Sequence, residues 1–310
     1  MALPASGQIT LNQVNVELGL SGTAQIGMND SAVRSLFGVA SGQIKMSDGY
    51  GASSEYVLSG NHQQITVSSY ISSGGTLRIN GGYIWSDSTS TAALIINIPC
   101  TIINQGKIMG KGGRGGGFNH GNPGQPGGPA INVTSSGVTI TNSAGAYIAG
   151  GGGGGGSFTA NPPGGGGGGA GGGQGGAGSG DGGGAGGAIG TKGAIPLPSW
   201  ANTTGTAAGS GGYGGFGALF QNTGYSGAGG GRILPGTGGT SSFYDNGTPF
   251  WAGGNGGSAG NAGGTDTVSG GGGGWGAVGG ASNGAGGAGG AAITGTSRTL
   301  SNSGTIYGST

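Results

Sequence analysis

From Gly150 to Gly290 glycine dominates the chain, in unbroken runs such as Gly150–Gly156, Gly164–Gly169 and Gly270–Gly274. Glycine loses more backbone entropy on ordering than any other residue. Such a tract is therefore either a flexible linker or a structure in which the missing side chain is the point. The ordered form is a bundle of extended helices with three residues per turn. A lone helix of that kind has no internal hydrogen bonds, so neighbouring helices must satisfy its N–H and C=O groups. Only glycine lets backbones approach that closely on all sides. Collagen is excluded: the 92 glycines of 310 residues lack a Gly-X-Y period and are accompanied by only 11 prolines. Disordered chains carry high net charge and few aromatics. Here the charged fraction is 5%, the net charge is +1, and Trp, Tyr and Phe are scattered through the glycine. These features predict the packed bundle.

Residues 1–50 read as a small N-terminal attachment module with three short repeats. Ser6-Gly-Gln-Ile-Thr-Leu-Asn-Gln recurs as Ala24-Gln-Ile-Gly-Met-Asn-Asp and as Ser41-Gly-Gln-Ile-Lys-Met-Ser-Asp, which places Ile9, Ile26 and Ile44 at equivalent positions. Each unit is expected to be an extended piece followed by a capping residue, Asn12, Asn29 or Ser47. Short amphipathic helices are expected after the first two, carrying Val14, Val16 and Leu18 and then Val33, Leu36 and Phe37, with stops at Gly19 and Gly38. So small a module has little core of its own, which points to docking on a partner.

Residues 51–109 read as a β-rich platform of short runs punctuated by Gly, Ser and Asn. A second repeat follows: Ile103-Asn-Gln-Gly-Lys-Ile-Met-Gly, Thr141-Asn-Ser-Ala-Gly-Ala-Tyr-Ile-Ala-Gly and Ser301-Asn-Ser-Gly-Thr-Ile-Tyr-Gly. Each copy reads as strand, Asn/Gly turn, strand, and equivalent strands would stack as rungs of a small sheet or β-helix. The chain is then expected to leave and rejoin this platform through returning strands at 131–149 and 293–310. The whole of 110–310 forms a bundle of about ten glycine-rich runs, at roughly 110–117, 123–130, 150–156, 164–178, 182–190, 208–217, 226–231, 252–264, 270–280 and 284–292. A run of eight residues would be about 25 Å long. Alternating direction puts 131–149, Ser179–Asp181, Ala218–Tyr225 and Thr265–Ser269 near the platform. It puts Phe118–Asn122, Ser157–Pro163, Thr191–Ala207, Arg232–Trp251 and Ala281–Asn283 at the far end. The expected fold is mainly irregular and β: attachment region, strand platform, then a sandwich of about ten polyglycine-II helices with variable loops.

Enzyme chemistry finds no support. The 8 acidic residues form no close pair for acid–base work, and His62 and His120 lack metal-ligand spacing. No cofactor or metal is implied. Gly-x-Gly-x-x-Gly matches throughout the tract and so carries no information, and Lys107 and Lys111 do not complete a Walker loop. Arg114 within Gly-Gly-Arg-Gly-Gly is a single arginine, and a net charge of +1 gives no attraction to nucleic acid. Cys100 reads as a small core residue. The stretch Ala92–Ile103 is too short to span a membrane, and the Met1 segment has no signal-peptide pattern, so synthesis in a cytoplasm without membrane insertion is expected.

What remains is surface. Arg232–Trp251 holds Phe243, Tyr244, Phe250 and Trp251; Thr191–Ala207 holds Trp200; Phe118, His120 and Phe158 join them at the far end. Aromatics among Gly, Ser, Asn and Thr have the composition of recognition loops. The competing reading is that the rings fold back to pin their own loops. Tyr213, Phe216 and Trp275 lie inside runs and are expected on the outer face of the bundle.

The motif Asn-x-Gly-x-Ile-x-Gly followed by Gly-Lys-Gly-Gly-Arg-Gly-Gly-Gly (104–117), the polyglycine runs and the closing Gly-Thr-Ile-Tyr-Gly resemble the receptor-recognising tail-fibre tip adhesins of T-even-type bacteriophages. The resemblance covers about residues 100–310. It implies a polyglycine-II sandwich at the distal end of the virion's tail fibre. It also implies a bacterial outer-membrane protein or lipopolysaccharide as the partner of the loops carrying Phe118, His120, Phe158, Trp200, Arg232, Phe243, Tyr244, Phe250 and Trp251. A trimeric tail-fibre protein, or another tail component, would be the partner of the attachment module. Ile9, Ile26 and Ile44 could then present one threefold set of contacts, or could merely build the module. A glycine-rich structural virion protein or an ice-binding protein would use the same bundle without receptor recognition; irregular aromatic loops favour the adhesin.

Overall fold

The computed structural model describes residues 3–116, 122–157, 254–266 and 270–310 in full, together with the backbone of 243–245 and 248–250. Short strands in parallel sheets dominate, with two helices of one to two turns near the N-terminus.

Helix α1 (Leu11–Glu17) starts at Thr10, whose hydroxyl accepts from the Gln13 N–H while the Gln13 Oε1 accepts from the Thr10 N–H. Helix α2 (Ser31–Leu36) follows Asp30. The capping positions are thus Thr10 and Asp30 rather than Asn12 and Asn29. These residues stand where the extended backbone turns into the helix; the Thr10 hydroxyl caps a first-turn N–H, whereas the Asp30 carboxylate makes no cap bond and accepts from the Gly27 N–H at 2.7 Å instead. Gly19 (φ 73°) and Gly38 (φ 71°) end the helices in the left-handed conformation, as expected. Val14 and Leu18 face the module's core while Val16 is 58% exposed, so the alternating triplet does not share one helical face.

Beyond residue 54 the chain winds as a solenoid. Strand β1 (Glu55–Ser59), β2 (His62–Gln63) and β3 (Ile65–Thr66) make the first coil; β4 (Thr76–Asn80), β5 (Tyr83–Trp85) and β6 (Leu94–Ile96) make the second. The third is β7 (Cys100–Asn104), β8 (Lys107–Met109) and β9 (Ile131–Val133). In the fourth, β10 (Val138–Asn142) and β11 (Tyr147–Ala149) precede a long excursion that contains the hairpin β12 (Phe243–Asp245) and β13 (Thr248–Phe250), and β14 (Ile293–Gly295) completes the coil. Strands β15 (Arg298–Asn302) and β16 (Thr305–Tyr307) end the solenoid. Equivalent strands pair in parallel as three sheets, β1-β4-β7-β10-β15, β2-β5-β8-β11-β16 and β3-β6-β9-β14.

The interior is made of aliphatic columns. Ile84, Ile108, Ile148 and Ile306 lie in register on successive coils, as do Leu77, Ile102, Ile140 and Leu300. Isoleucine and valine suit such strands because their branched side chains pack on a pleated surface. The Asn of the second repeat forms its own column at a corner. Asn104 Nδ2 donates to Asn142 Oδ1 at 2.8 Å, and Asn142 Nδ2 donates to Asn302 Oδ1 at 2.8 Å. The repeat therefore stacks as rungs. Its two strands do not form hairpins: β7 and β8 enter different sheets, and the Asn-x-Gly segment is the corner between them.

Glu17 joins the module to the solenoid. Its Oε1 accepts from the Ser54 N–H at 2.9 Å and from Ser53 Oγ at 3.2 Å, and Ser54 Oγ donates to the Glu17 carbonyl at 2.6 Å. Ser35 Oγ and Ser72 Oγ add a 2.8 Å hydrogen bond across the same junction.

Candidate functional site

The glycine runs are insertions at one repeated place, the corner between the second and third strand of a coil. That corner is Gln64 alone in the first coil, residues 86–93 in the second, 110–130 in the third and 150–292 in the fourth. Gln64, at φ 42°, is the only non-glycine residue with positive φ among the described residues, as expected for a one-residue corner. Stacked coils make the insertions leave side by side, which is what lets them pack.

Hydrogen bonds link the runs with a period of three residues. Gly110, Gly113 and Gly116 donate to Ala149, Gly152 and Gly155 at 2.8 Å. On the next phase, Gly151, Gly154 and Ser157 donate to Gly128, Gln125 and Asn122 at 2.9 to 3.1 Å. Run 150–157 lies at the centre, bonded to 110–116, 122–130, 270–274, 277–281 and 284–292. An added Cβ at Gly153, Gly154 and Gly155 would meet Gly287, Arg114 and Gly270 respectively, three different neighbours for three successive residues. No residue larger than glycine fits this environment.

Two expected runs prove to be pairs. Segments 254–258 and 262–266 are antiparallel, joined by a turn in which the Asn261 N–H donates to the Ser258 carbonyl at 2.8 Å. Segments 270–274 and 277–281 reverse at Trp275–Gly276, where Gly276 has φ 64°. Thr265 and Asp266, expected near the platform, therefore lie at the far end: the Asp266 N–H donates to the Ala281 carbonyl at 3.2 Å. Trp275 is also corrected, from the outer face to full burial. It packs with Met109 and Ala149 at the foot of the bundle, against the half-buried rings of Tyr83, Trp85, Tyr147 and Tyr307. An indole buries more apolar area than any other side chain, and a bundle without side chains can offer it a cavity only where it meets the solenoid's outer face. Tyr147 and Tyr307 stack there, with centroids 6.3 Å apart and planes 7° apart.

Of the expected receptor-contacting residues, Phe118, His120, Phe158, Trp200, Arg232 and Trp251 lie outside the described residues, as do Tyr213 and Phe216. Phe243 and Tyr244 fall on β12 and Phe250 on β13, an antiparallel pair in which Phe243 faces Phe250 in register. The expected loop at Arg232–Trp251 did not include this pairing; its signal is Asn246-Gly247, a favoured two-residue hairpin sequence, between Phe243-Tyr244-Asp245 and Thr248-Pro249-Phe250.

In the N-terminal module Ile9 is buried, and Ile26 and Ile44 pack partly buried against the same small core with Leu3, Val14, Val33 and Phe37. The three isoleucines thus build the module, while Gln8, Gln25 and Gln43 beside them are exposed. The units are locally equivalent. The N–H groups of Thr10, Gly27 and Lys45 donate to the side chains of Gln13, Asp30 and Asp48 at 2.8, 2.7 and 2.7 Å.

Reactive chemistry is sparse. No group of three metal-ligating side chains occurs among the described residues. Burial pushes the Cys100 thiol up to about 11. The hydrogen bond from Arg78, followed by its charge, holds the Glu55 carboxyl below its ordinary value; burial of Glu55 opposes this. Among the described residues no helix is long and apolar enough to cross a membrane.

Residues 52–196 match the family model described as phage tail fibre adhesin Gp38. No curated protein matches the chain. A solved structure, the gp37-gp38 adhesin tip complex of the bacteriophage S16 long tail fiber, aligns with 98% of this chain and 99% of its own at 20% identity, with a TM-score of 0.40. The family that matches residues 52–196 is thus the one that the Asn-x-Gly-x-Ile repeat and the glycine runs resemble: the phage tail-fibre adhesins.

Proposed function

We propose that this chain is the receptor-binding adhesin at the distal end of a bacteriophage tail fibre. It is a non-enzymatic virion protein that recognises an outer-membrane protein or lipopolysaccharide through loops at the far end of a polyglycine-II sandwich. The three-residue hydrogen-bond period supports the polyglycine-II reading. The observation that carries the functional reading is the gathering of chain ends. Gly116, Asn122, Ser157, Gly270 and Gly284, each at one end of a described run, are linked by hydrogen bonds at the end of the bundle remote from the solenoid. Loops presented together from a scaffold without mobile side chains form a suitable recognition surface.

Residues 1–50 hold the fibre on this reading, with residues 51–109 as platform and 110–310 as the sandwich and its returning strands. Six large hydrophobic side chains between Leu11 and Val57 are exposed, including Val16, Leu20 and Tyr50, a concentration that suits a partner surface. The locally equivalent units and their exposed glutamines offer a trimeric fibre three similar edges, with Ile9, Ile26 and Ile44 shaping them from beneath.

Exchanging Thr191–Ala207 and Arg232–Trp251 for the loops of a relative is expected to change which bacterial strains the particle adsorbs to, with the melting temperature kept. Unchanged adsorption after both exchanges would refute the loop assignment. Deleting residues 1–50 is expected to abolish incorporation into particles.

A further inference from the structure

We infer that the crevice beside Arg114 is a subsite for a negatively charged sugar of the host surface, with the Arg114 guanidinium as its anchor. The inference rests on the adhesin reading above and gives it a ligand chemistry. Arg114, Gly115, Gly116, Asn122, Pro123 and Gln125 line a crevice of about 300 Å³ where the first two runs approach their far end.

Arg114 is displayed by the three-residue period of its run. Gly113 and Gly116 turn their N–H groups to the central run, at 2.8 Å from Gly152 and Gly155, and the Arg114 carbonyl accepts from the Gln125 N–H at 2.7 Å. With the backbone engaged on both sides, the side chain has only the solvent face left, and it is exposed. Lys111 occupies the same phase one turn nearer the solenoid, its carbonyl accepting from the Gly128 N–H at 2.7 Å.

Neither cation has an ion pair or hydrogen bond with its side chain among the described residues. The described carboxylates lie elsewhere. Glu17, Asp30, Asp48 and Glu55 belong to the module and first strand, and Asp87 accepts from Gln63 on the solenoid. Asp266 is on a run that contacts 254–258, 270–274 and 277–281, so the central run stands between it and Arg114. A guanidinium left without a counter-charge at the presenting end is a fork for phosphate or carboxylate. The exposed Gln125 carboxamide supplies donors and an acceptor for hydroxyl groups, and Pro123 a non-polar wall. The volume is at the lower end of the range for small-molecule sites, which suits one sugar ring with its substituent. The occupant chosen is therefore a phosphorylated or carboxylated sugar of lipopolysaccharide, not an extended acidic peptide.

The test uses the full chain, its Arg114→Gln and Arg114→Lys variants, and lipopolysaccharide purified from a susceptible strain, immobilised before and after enzymatic dephosphorylation and carboxyl reduction. Wild type is expected to bind the untreated glycan about tenfold or more tightly than Arg114→Gln, with Arg114→Lys between them, equal melting temperatures and competition by inorganic phosphate. Binding by wild type should fall by a similar factor on the treated glycan, whereas Arg114→Gln should be indifferent to the treatment. Equal binding by wild type and Arg114→Gln overturns the subsite while adsorption of wild type to cells keeps the adhesin reading intact. Loss of cell adsorption in Arg114→Gln with no difference on purified glycan also overturns it, in favour of an acidic protein group. Failure of the wild type to bind any host cell refutes the adhesin reading itself.

Discussion

Replacing Gly153 by alanine tests the close packing of the runs most directly. Gly153 sits on the central run, and a Cβ there would stand 2.5 Å from the Gly287 carbonyl carbon and 2.8 Å from the Ala288 oxygen. Carbon contacts settle at about 3.5 Å, so the two runs would have to separate by about 1 Å. Three hydrogen bonds cross that interface: Gly284 N–H to Ser157 at 2.9 Å, and Gly287 and Gly290 N–H to Gly154 and Gly151 at 2.7 Å. The separation would take all three past hydrogen-bonding distance. At about 0.5–1.5 kcal/mol each, and more where a buried group finds no new partner, the loss is about 2–5 kcal/mol. Alanine gives back about 0.4–1 kcal/mol by restricting the unfolded chain, which leaves a clear net loss. For a chain of 310 residues that lowers the melting temperature by roughly 2–7 °C. Thermal unfolding followed by tryptophan fluorescence reads it, with Gln125→Ala as control, because that side chain is exposed and only its backbone takes part in the packing of the runs. A Gly153→Ala protein that melts at or above wild type would show that the runs tolerate side chains, and the packing argument would fall.

The asparagine column should show a graded response. Asn142→Ala removes both 2.8 Å links of a fully buried carboxamide and should cost about 2–4 kcal/mol in denaturant unfolding, against about 1 kcal/mol or less for the exposed Asn302→Ala; equal losses would contradict the column. Cys100, buried with its thiol pushed up to about 11, should resist alkylation at pH 8 in the native protein and react on unfolding; rapid native labelling would contradict its place in the core. The Arg78–Glu55 pair joins the first two coils, with the Glu55 carboxyl lowered first by the hydrogen bond from Arg78. A lowered carboxyl contributes stability that is complete above the ordinary value of 4.5 and is lost as the pH falls through the lowered one. The stability difference between wild type and Glu55→Gln should therefore be present at pH 7, at about 0.2–1 kcal/mol, and vanish in acid; a difference that grows in acid would reverse the sign of the argument.

The sequence by itself determined the local rules of this protein. Long glycine runs without charge dictate backbone-to-backbone packing, because the peptide groups have no other partners and no side chains separate them. The three Asn/Gly/Ile copies dictate stacked rungs, since the same Asn and Ile recur on each strand pair and stack in register, the two extra residues of the second copy falling in the corner between its strands. The Gln-Ile repeats likewise specify three equivalent turns, each closed by a side chain three residues on.

Only the tertiary structure decided where the runs begin, reverse and point. A run of glycine carries no mark of its own reversal, so the turns at Ser258–Asn261 and Trp275–Gly276 were invisible, and with them the end of the bundle at which Asp266 lies. Trp275 was expected on the bundle's outer face because its neighbours are mostly glycine; its burial depends on Met109 and Ala149, far away in the chain and close only once the solenoid has wound. Ile9, Ile26 and Ile44 face inward for the same reason, since a side chain's direction follows from what its segment packs against. The insertion of both excursions at one corner of successive coils is a property of the winding, and it is the winding that brings the far-end segments together.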